Sequence, residues 1–199
     1  MILVAITGTI CSGKSFVSKI IADLGYAVFS CDDEIHEILK QKNILKKIKQ
    51  IFPQAVIETG IDKKILADII FEVREKRENL EKILYPELFV RENNFVQKHK
   101  KKQSKVLFFE VPLLYEKDLQ DKYNFVIVTH APKDILIKRA CNRGLNQKFF
   151  DNILASQFSS EEKISKADYI IDTTLSKSEI RTKIIDIIKD FSFHITRFT

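Results

Sequence analysis

The chain has 199 residues, of which 45% are hydrophobic and 30% charged, a balance that excludes a disordered or collagen-like protein and suits one globular domain. Its 33 Lys and Arg exceed its 27 Asp and Glu, and the formal net charge of +6 is compatible with nucleic acid, anionic lipid or a polyphosphate ligand. No apolar run approaches the roughly 20 residues of a membrane-spanning helix, and there is no secretory signal pattern after Met1, so we expect a cytoplasmic protein with no membrane partner.

Strand and helix patterns alternate along the chain. Apolar runs of strand length predict buried strands at residues 2–7, 26–29, 106–109, 125–129 and 169–171. Helical spacing predicts helices over residues 12–24, over 62–102 with a break near Pro86, and near 149–157. A further helix is predicted from a cap at Asp32 or Asp33 to Ile51. Another is predicted to begin with Pro132 as its first residue and to end at about Arg143. A capping box at residues 176–179 opens the last predicted helix. This order predicts an α/β fold with a mostly parallel five-stranded sheet, helices on both faces and a helical lobe at about 62–102.

The strongest motif follows the first predicted strand directly. Residues 8–15 read Gly-Thr-Ile-Cys-Ser-Gly-Lys-Ser, a complete G-x-x-x-x-G-K-S between an apolar strand and an amphipathic helix. Such a loop turns its backbone N–H groups towards a phosphate, its lysine reaches the β and γ phosphates, and its serine hydroxyl binds Mg²⁺. A chance glycine-rich turn is the alternative. We expect the following residues to bind ATP, with Ser15 also on the metal: Gly8, Cys11, Ser12, Gly13, Lys14, Ser15 and Phe16.

The cysteines and the densest basic run suggest no second site. Cys11, Cys31 and Cys141 are widely spaced, with no Cys/His cluster, which favours free thiols over a disulfide framework or a zinc site. The run at residues 98–105 holds five lysines without interleaved aromatic residues, so we interpret it as a solvated loop and expect no nucleic-acid partner.

Phosphoryl transfer also needs a carboxylate near the acceptor hydroxyl and cations around the transferred group. Asp32 and Asp33 follow the second predicted strand and Glu110 ends the third, at the strand ends where an open α/β sheet binds ligands. Asp33 could instead be a helix cap. Arg139 and Arg143 lie one turn apart on one helix, as candidates for the phosphates or for ordinary surface ion pairs.

The order of these landmarks resembles that of the dephospho-coenzyme A kinase family, whose members are P-loop kinases, over essentially the whole chain. The similarity lies in segments more specific than the phosphate loop: Val28–Asp32, Leu84-Tyr85-Pro86, Val111–Glu116, Lys138-Arg139 with Arg143, Ile153–Gln157 and Ala167–Asp172. The resemblance implies one kinase domain over residues 1–199, a coenzyme A-binding lobe at about 62–102 and a lid at about 139–150.

The resemblance also implies the reaction and the residue roles. ATP, with Mg²⁺ as cofactor, would phosphorylate the 3′-hydroxyl of dephospho-coenzyme A, the last step of coenzyme A synthesis. Asp32 would be the base, Lys14 and Arg139 would be catalytic, and Arg143 would join Arg139 over the ATP phosphates. The acceptor would be bound by Asp32, His36, Tyr85, Pro112, Leu113, Leu114 and Glu116. The sequence leaves the oligomeric state open, with a monomer favoured.

Several positions depart from the family pattern. Ser30 replaces an aspartate, His36 an arginine and Tyr85 a histidine, while Ser160 and Lys163 stand where two arginines are usual. Loss of a charge-assisted hydrogen bond costs on the order of 1.5–3 kcal/mol, so His36 and Tyr85 predict weaker acceptor binding. These two residues leave open a kinase of another nucleoside or nucleotide. The net charge of +6 leaves open a nucleotide-binding protein without catalysis.

Overall fold

The computed structural model describes residues 1–196, except for the side chains of residues 63, 71, 72, 74 and 192–196. The chain forms two compact units, one built from residues 1–29 and from residue 99 onwards, the other from Ser30–Lys98. Within the described range no helix is long and apolar enough to cross a membrane, and none of the three cysteines forms a disulfide.

The first unit is built on a parallel sheet. Its strands are β1 (Ile2–Thr7), β2 (Ala27–Ser30, whose last residue opens the second unit), β5 (Val106–Glu110), β6 (Phe125–His130) and β7 (Tyr169–Asp172), in the order β2-β5-β1-β6-β7. β1 lies between β5 and β6 and pairs in parallel with both, as does β6 with β7. The central strand therefore delivers its carboxyl end, and the loop that follows it, to the middle of the sheet edge where such folds bind ligands.

Helices α1 (Lys14–Asp23) and α9 (Lys177–Thr196) cover one face of this sheet. Alternate residues of β1 point to that face, and Ile2, Val4 and Ile6 are buried there. Phe125 and Phe191 stack with ring centroids 4.8 Å apart. The helices contribute Val17, Ile20, Ile21, Ile180, Ile184, Ile187 and Ile188 to the same core. The isoleucines of α9 therefore form the buried face of that helix.

A second, smaller core holds the region after β6. It is formed by α6 (Lys133–Asn142) and α7 (Gln147–Ala155), where Leu136, Ala140 and Phe150 pack around Cys11 of the phosphate loop. A short helix that the sequence analysis missed, α8 (Ser160–Ile164), follows with a capping box between Ser159 and Glu162. These helices bring residues distant along the chain to the loop after β1.

The second unit is mainly helical. It contains α2 (Cys31–Ile38), α3 (Lys42–Ile51), α4 (Lys63–Glu72) and most of α5 (Arg74–Lys101), whose last three residues belong to the first unit. It also contains a hairpin of β3 (Val56–Ile57) and β4 (Gly60–Ile61), which was not predicted from the sequence. The Arg91 guanidinium donates to the Glu34 carboxylate at 2.6 Å and so joins α5 to α2.

Four predicted helix limits are wrong. The cap of α2 is Ser30, whose hydroxyl accepts the N–H of Asp33, so neither Asp32 nor Asp33 is the cap. That helix ends at Ile38, and α3 is separate. The long helical stretch breaks at the extended residue Val73, and Pro86 lies inside α5. Residue 132 is the N-cap of α6 and not its first helical residue.

The continuity of α5 through Pro86 has a local physical reason. Proline removes the N–H that would bond the carbonyl four residues earlier, that of Lys82. Pro86 and Lys82 are both exposed, so water can hydrate this carbonyl. The proline therefore need not end the helix.

Candidate active site

The loop between β1 and α1 requires glycine at two positions. Gly8 has φ +150°, and a Cβ there would lie 2.5 Å from the Ser12 and Thr129 side-chain oxygens. Gly13 has φ +98°, and its Cβ would lie 2.9 Å from Cγ2 of Thr173. Both the backbone angle and the close packing exclude a larger residue. The predicted phosphate loop thus has the backbone that its motif demands.

Lys14 lies in the first turn of α1 and is only 9% exposed. Its Nζ donates to the carbonyl oxygens of Gly8 and Thr9, each at 3.0 Å. The ammonium group is thereby held across the loop at a helix N-terminus, where the helix dipole adds positive potential. This arrangement favours an anion.

Ser15 is paired with the carboxylate at the end of β5. Its hydroxyl donates to Oε1 of Glu110 at 2.7 Å, and Glu110 is 3% exposed. A hydroxyl and a carboxylate are hard oxygen ligands of the kind that Mg²⁺ binds together with phosphate oxygens. The donor set therefore fits a magnesium ion, although no group of three or more His, Cys, Asp or Glu residues in the range 1–196 could hold a metal without other ligands.

A buried hydrogen-bond network lies behind the loop, at the ends of β6 and β7. The Thr173 hydroxyl lies 2.7 Å from the Ser12 carbonyl oxygen, and the Ser12 hydroxyl lies 2.7 Å from that of Thr129. Arg139 donates to the Cys11 carbonyl at 3.2 Å and to both the side chain and the carbonyl of Thr173 at 2.8 Å. The guanidinium of Arg139 therefore braces the loop backbone.

Two further contacts join the loop to residues that follow α6 and α7. The N–H of Ile10 donates to the side-chain carbonyl of Gln157 at 2.8 Å. Arg143 is exposed and points NH1 towards the Cys11 sulfur at 3.9 Å. Cys11 is buried with φ +61°, an unusual conformation for a residue with a side chain. Phe16 is 41% exposed on the first turn of α1.

The segment after β5 is fixed by a buried ion pair. Nζ of Lys163 lies 2.8 Å from Oε1 of Glu116, with side-chain exposures of 0% and 9%. The same ammonium donates to the carbonyl of Pro112 at 3.2 Å, and Oε1 also accepts the N–H of Phe158 at 2.8 Å. Burial lowers the pKa of Lys163, while Glu116 acts in the opposite direction. Leu114 is fully buried, and Pro112 and Leu113 are half-buried.

In the second unit, the predicted acceptor residues lie on α2 and α5. Asp32 is exposed in the first turn of α2, where the helix N-terminus stabilises a carboxylate. His36 is exposed one turn later, on the same face. Tyr85 is half-buried on α5, and burial, followed by the charge of Glu81, raises the pKa of its hydroxyl. Its ring lies 6.2 Å from that of Phe89.

The structure thus gathers Lys14, Ser15, Arg139 and Arg143 around one loop and places Asp32, His36 and Tyr85 in the other unit. Two residues at the loop were not predicted to have a role there. Glu110 was named as a carboxylate candidate but given no role. Thr173 was not singled out, although it directly follows β7, and the rule of strand ends could have pointed to it.

Comparison of the sequence with known proteins points to one enzyme family. The sequence model of the family described as Dephospho-CoA kinase (CoaE) matches residues 2–179. The dephospho-CoA kinase of Fusobacterium nucleatum is 31% identical over 187 residues, covering 92% of this chain and 95% of that protein. That of Bartonella henselae is 32% identical over 191 residues, covering 95% and 97%.

Comparison with solved structures points to the same fold. The dephospho-CoA kinase of Campylobacter jejuni is 29% identical with a TM-score of 0.68, covering 96% of this chain and 98% of that one. The TT1252 protein of Thermus thermophilus is 25% identical with a TM-score of 0.82, covering 95% and 96%. The shikimate kinase of Acinetobacter baumannii, 12% identical with a TM-score of 0.53, covers 96% and 94% and shares the fold. The predicted kinase-type α/β sheet is confirmed. With a family match over residues 2–179 and relatives above 30% identity along nearly their whole length, the chain belongs to the dephospho-CoA kinase family.

Proposed function

We propose that this protein is a dephospho-CoA kinase, which transfers the γ-phosphoryl group of ATP to the 3′-hydroxyl of dephospho-coenzyme A and completes coenzyme A synthesis. The observation that supports it most is the intact phosphate loop, with Lys14 held across it and Ser15 bonded to Glu110, in a chain that matches this family over residues 2–179.

On the nucleotide side, the loop amides and the N-terminus of α1 bind the phosphates. Lys14 exchanges its two carbonyl acceptors, Gly8 and Thr9, for β and γ phosphate oxygens, since a phosphate is the stronger partner of an ammonium. Arg139 and Arg143, at the start of the proposed lid at about 139–150, add positive charge over the transferred group. Closure of this segment would exclude water and limit ATP hydrolysis.

Ser15 and Glu110 would hold the Mg²⁺ ion. The ion would supply positive charge that offsets the negative charge of the phosphates during transfer. Glu110 contributes a carboxylate that is fixed at the end of β5 and almost fully buried, so it needs little reorganisation to serve the site. Ser15 is exposed beside it, and its hydroxyl oxygen would bind the ion while its proton stays hydrogen-bonded to Glu110.

On the acceptor side, Asp32 receives the proton of the ribose 3′-hydroxyl as that oxygen attacks in line. The helical lobe at about 62–102 binds the coenzyme, together with His36, Tyr85 and the segment from Pro112 to Glu116. The ion pair between Lys163 and Glu116 gives this segment a fixed shape. The enzyme acts as a cytoplasmic monomer in this proposal.

The test is ADP production by the purified protein with Mg-ATP, with and without dephospho-coenzyme A, and the mass of the product. Acceptor-dependent turnover with a product heavier by one phosphoryl group supports the proposal. A protein that binds ATP but is not stimulated by dephospho-coenzyme A would refute the acceptor, and His36 and Tyr85 would then favour a panel of nucleosides and nucleotides. The matched control is the enzyme with Lys14→Ala, which lacks the ammonium group proposed to bind the phosphates.

A further inference from the structure

Thr173 occupies a central position behind the phosphate loop. It is 5% exposed. Its hydroxyl lies 2.7 Å from the carbonyl oxygen of Ser12 and 3.1 Å from that of His130, and it accepts an N–H of Arg139 at 2.8 Å. A hydroxyl has one proton to donate. The contact to Ser12 has the usual length of a strong O–H···O bond, so the proton is directed mainly there.

This bond fixes the orientation of one peptide group. The peptide between Ser12 and Gly13 is planar, and no peptide bond in the described range is cis. In a trans peptide the C=O and the following N–H point in opposite directions. Because the Ser12 carbonyl points to Thr173, the N–H of Gly13 points away from Thr173.

Close packing between Thr173 and Gly13 also restrains the orientation of the Ser12–Gly13 peptide. A Cβ on Gly13 would lie 2.9 Å from Cγ2 and 3.0 Å from Oγ1 of Thr173. The threonine thus packs directly under the peptide that its hydroxyl holds. Arg139 holds the threonine in turn, because its NH2 donates to the Thr173 carbonyl at 2.8 Å. Arg139 also donates to the preceding loop carbonyl, that of Cys11.

We propose that Thr173 is a positioning residue for nucleotide binding, which holds the Ser12–Gly13 peptide with its N–H aimed at the ATP phosphates. The inference rests on the proposed function and assigns a role to a residue outside the loop motif. Without the hydroxyl, the Ser12 carbonyl loses its donor, the peptide can rotate, and an amide that would bind phosphate is no longer pre-oriented. Thr173 touches no reacting atom, so its loss should weaken ATP binding more than it slows the chemical step.

The experiment compares Thr173→Val, which keeps the shape and removes the hydroxyl, with Thr173→Ser, which keeps the hydroxyl. Thr182→Val is the matched control, since its hydroxyl also donates to a backbone carbonyl, that of Ser178, but on the exposed side of α9. Calorimetric titration with Mg-ATP measures the Kd, and steady-state assays give kcat and both KM values.

For Thr173→Val we expect the Kd for ATP to rise about tenfold, which corresponds to about 1.4 kcal/mol. We expect kcat and the KM for dephospho-coenzyme A to stay within about twofold of the parent values. A twofold change is smaller in free energy than the loss of one hydrogen bond. Thr173→Ser should bind ATP like the parent. Unchanged ATP affinity in Thr173→Val, or an equal loss in Thr173→Ser, overturns the inference. If the valine variant does not fold, Thr173→Ala replaces it and is judged by the same Kd.

The parent protein separates this inference from the proposed function. If the parent binds ATP but does not phosphorylate dephospho-coenzyme A, the proposed function fails in its acceptor and Thr173 is still judged by the ATP titration. If the parent phosphorylates dephospho-coenzyme A and Thr173→Val binds ATP normally, the inference alone fails.

Discussion

Replacing Lys163 by methionine tests the buried ion pair that shapes the segment after β5. Methionine fills a similar volume but carries no charge and no N–H. Glu116 would then keep the N–H of Phe158 as the donor to Oε1, while its Oε2 already has no hydrogen-bond partner among the described residues. The variant therefore leaves a carboxylate that is 9% exposed without its cation.

The expected cost follows from this geometry. Removing one partner of a buried ion pair destabilises a protein by about 3–5 kcal/mol, which is a large part of the roughly 5–15 kcal/mol that stabilise a domain. At about 2–4 °C per kcal/mol for a chain of this size, Tm should fall by roughly 6–20 °C. The carbonyl of Pro112 would also lose a donor.

Chemical and thermal unfolding of the parent, Lys163→Met and the double variant Lys163→Met with Glu116→Gln provide the assay. The double variant removes the uncompensated charge and keeps an acceptor for the Phe158 N–H, so it should regain at least half of the lost stability. The reasoning is refuted if Lys163→Met loses less than about 1 kcal/mol, the level of an exposed pair. It is also refuted if the double variant is no more stable than the single one.

Three further predictions concern catalysis, metal and pH. Asp32→Asn should lower kcat by about 10²-fold or more with ATP binding retained. Asp33 is an exposed neighbour in the same helical turn, and Asp33→Asn should leave kcat unchanged. Equal rates for both variants would exclude Asp32 as the base. Glu110→Gln should raise the Mg²⁺ concentration needed for half-maximal turnover by about 10- to 100-fold, and an unchanged Mg²⁺ dependence would remove this carboxylate from the metal site. Burial, and secondly the charge of Asp168, raise the pKa of Tyr115 from 10.0 to about 12. The unfolded chain ionises first, so the unfolding free energy should fall between those pH values, and Tyr115→Phe should flatten that slope in pH-dependent denaturation.

The fold and the phosphate loop were predictable because their signals are local. Five apolar runs marked the five strands of the sheet, and residues 8–15 defined the loop by spacing alone. The cap of α2 was mispredicted because Ser30, Asp32 and Asp33 are all good capping residues. The choice of Ser30 depends on where β2 ends. The position of Pro86 within α5 depends on exposure, which a sequence pattern does not contain.

The contacts that hold the site could not be predicted in the same way. Ser12, Arg139 and Thr173 are separated by more than 30 residues along the chain and meet because β1, α6 and β7 converge at one sheet edge. The predicted strand ends indicated this edge of the sheet, and therefore Glu110. They did not indicate which side chain would bond to which carbonyl. Long-range hydrogen bonds of this kind become visible once the packing of the helices is known.

The ion pair at Lys163 shows how a departure from the family pattern is accommodated. The resemblance places an arginine at this position, and a guanidinium can bond both oxygens of a carboxylate at once. The ammonium of Lys163 instead divides its donors between Oε1 of Glu116 and the carbonyl of Pro112. Oε2 of Glu116 is consequently left without a hydrogen-bond partner among the described residues. Lys163 therefore supplies the positive charge of the buried pair, and this pair bears on the stability of the Pro112–Glu116 segment and not on the phosphate loop.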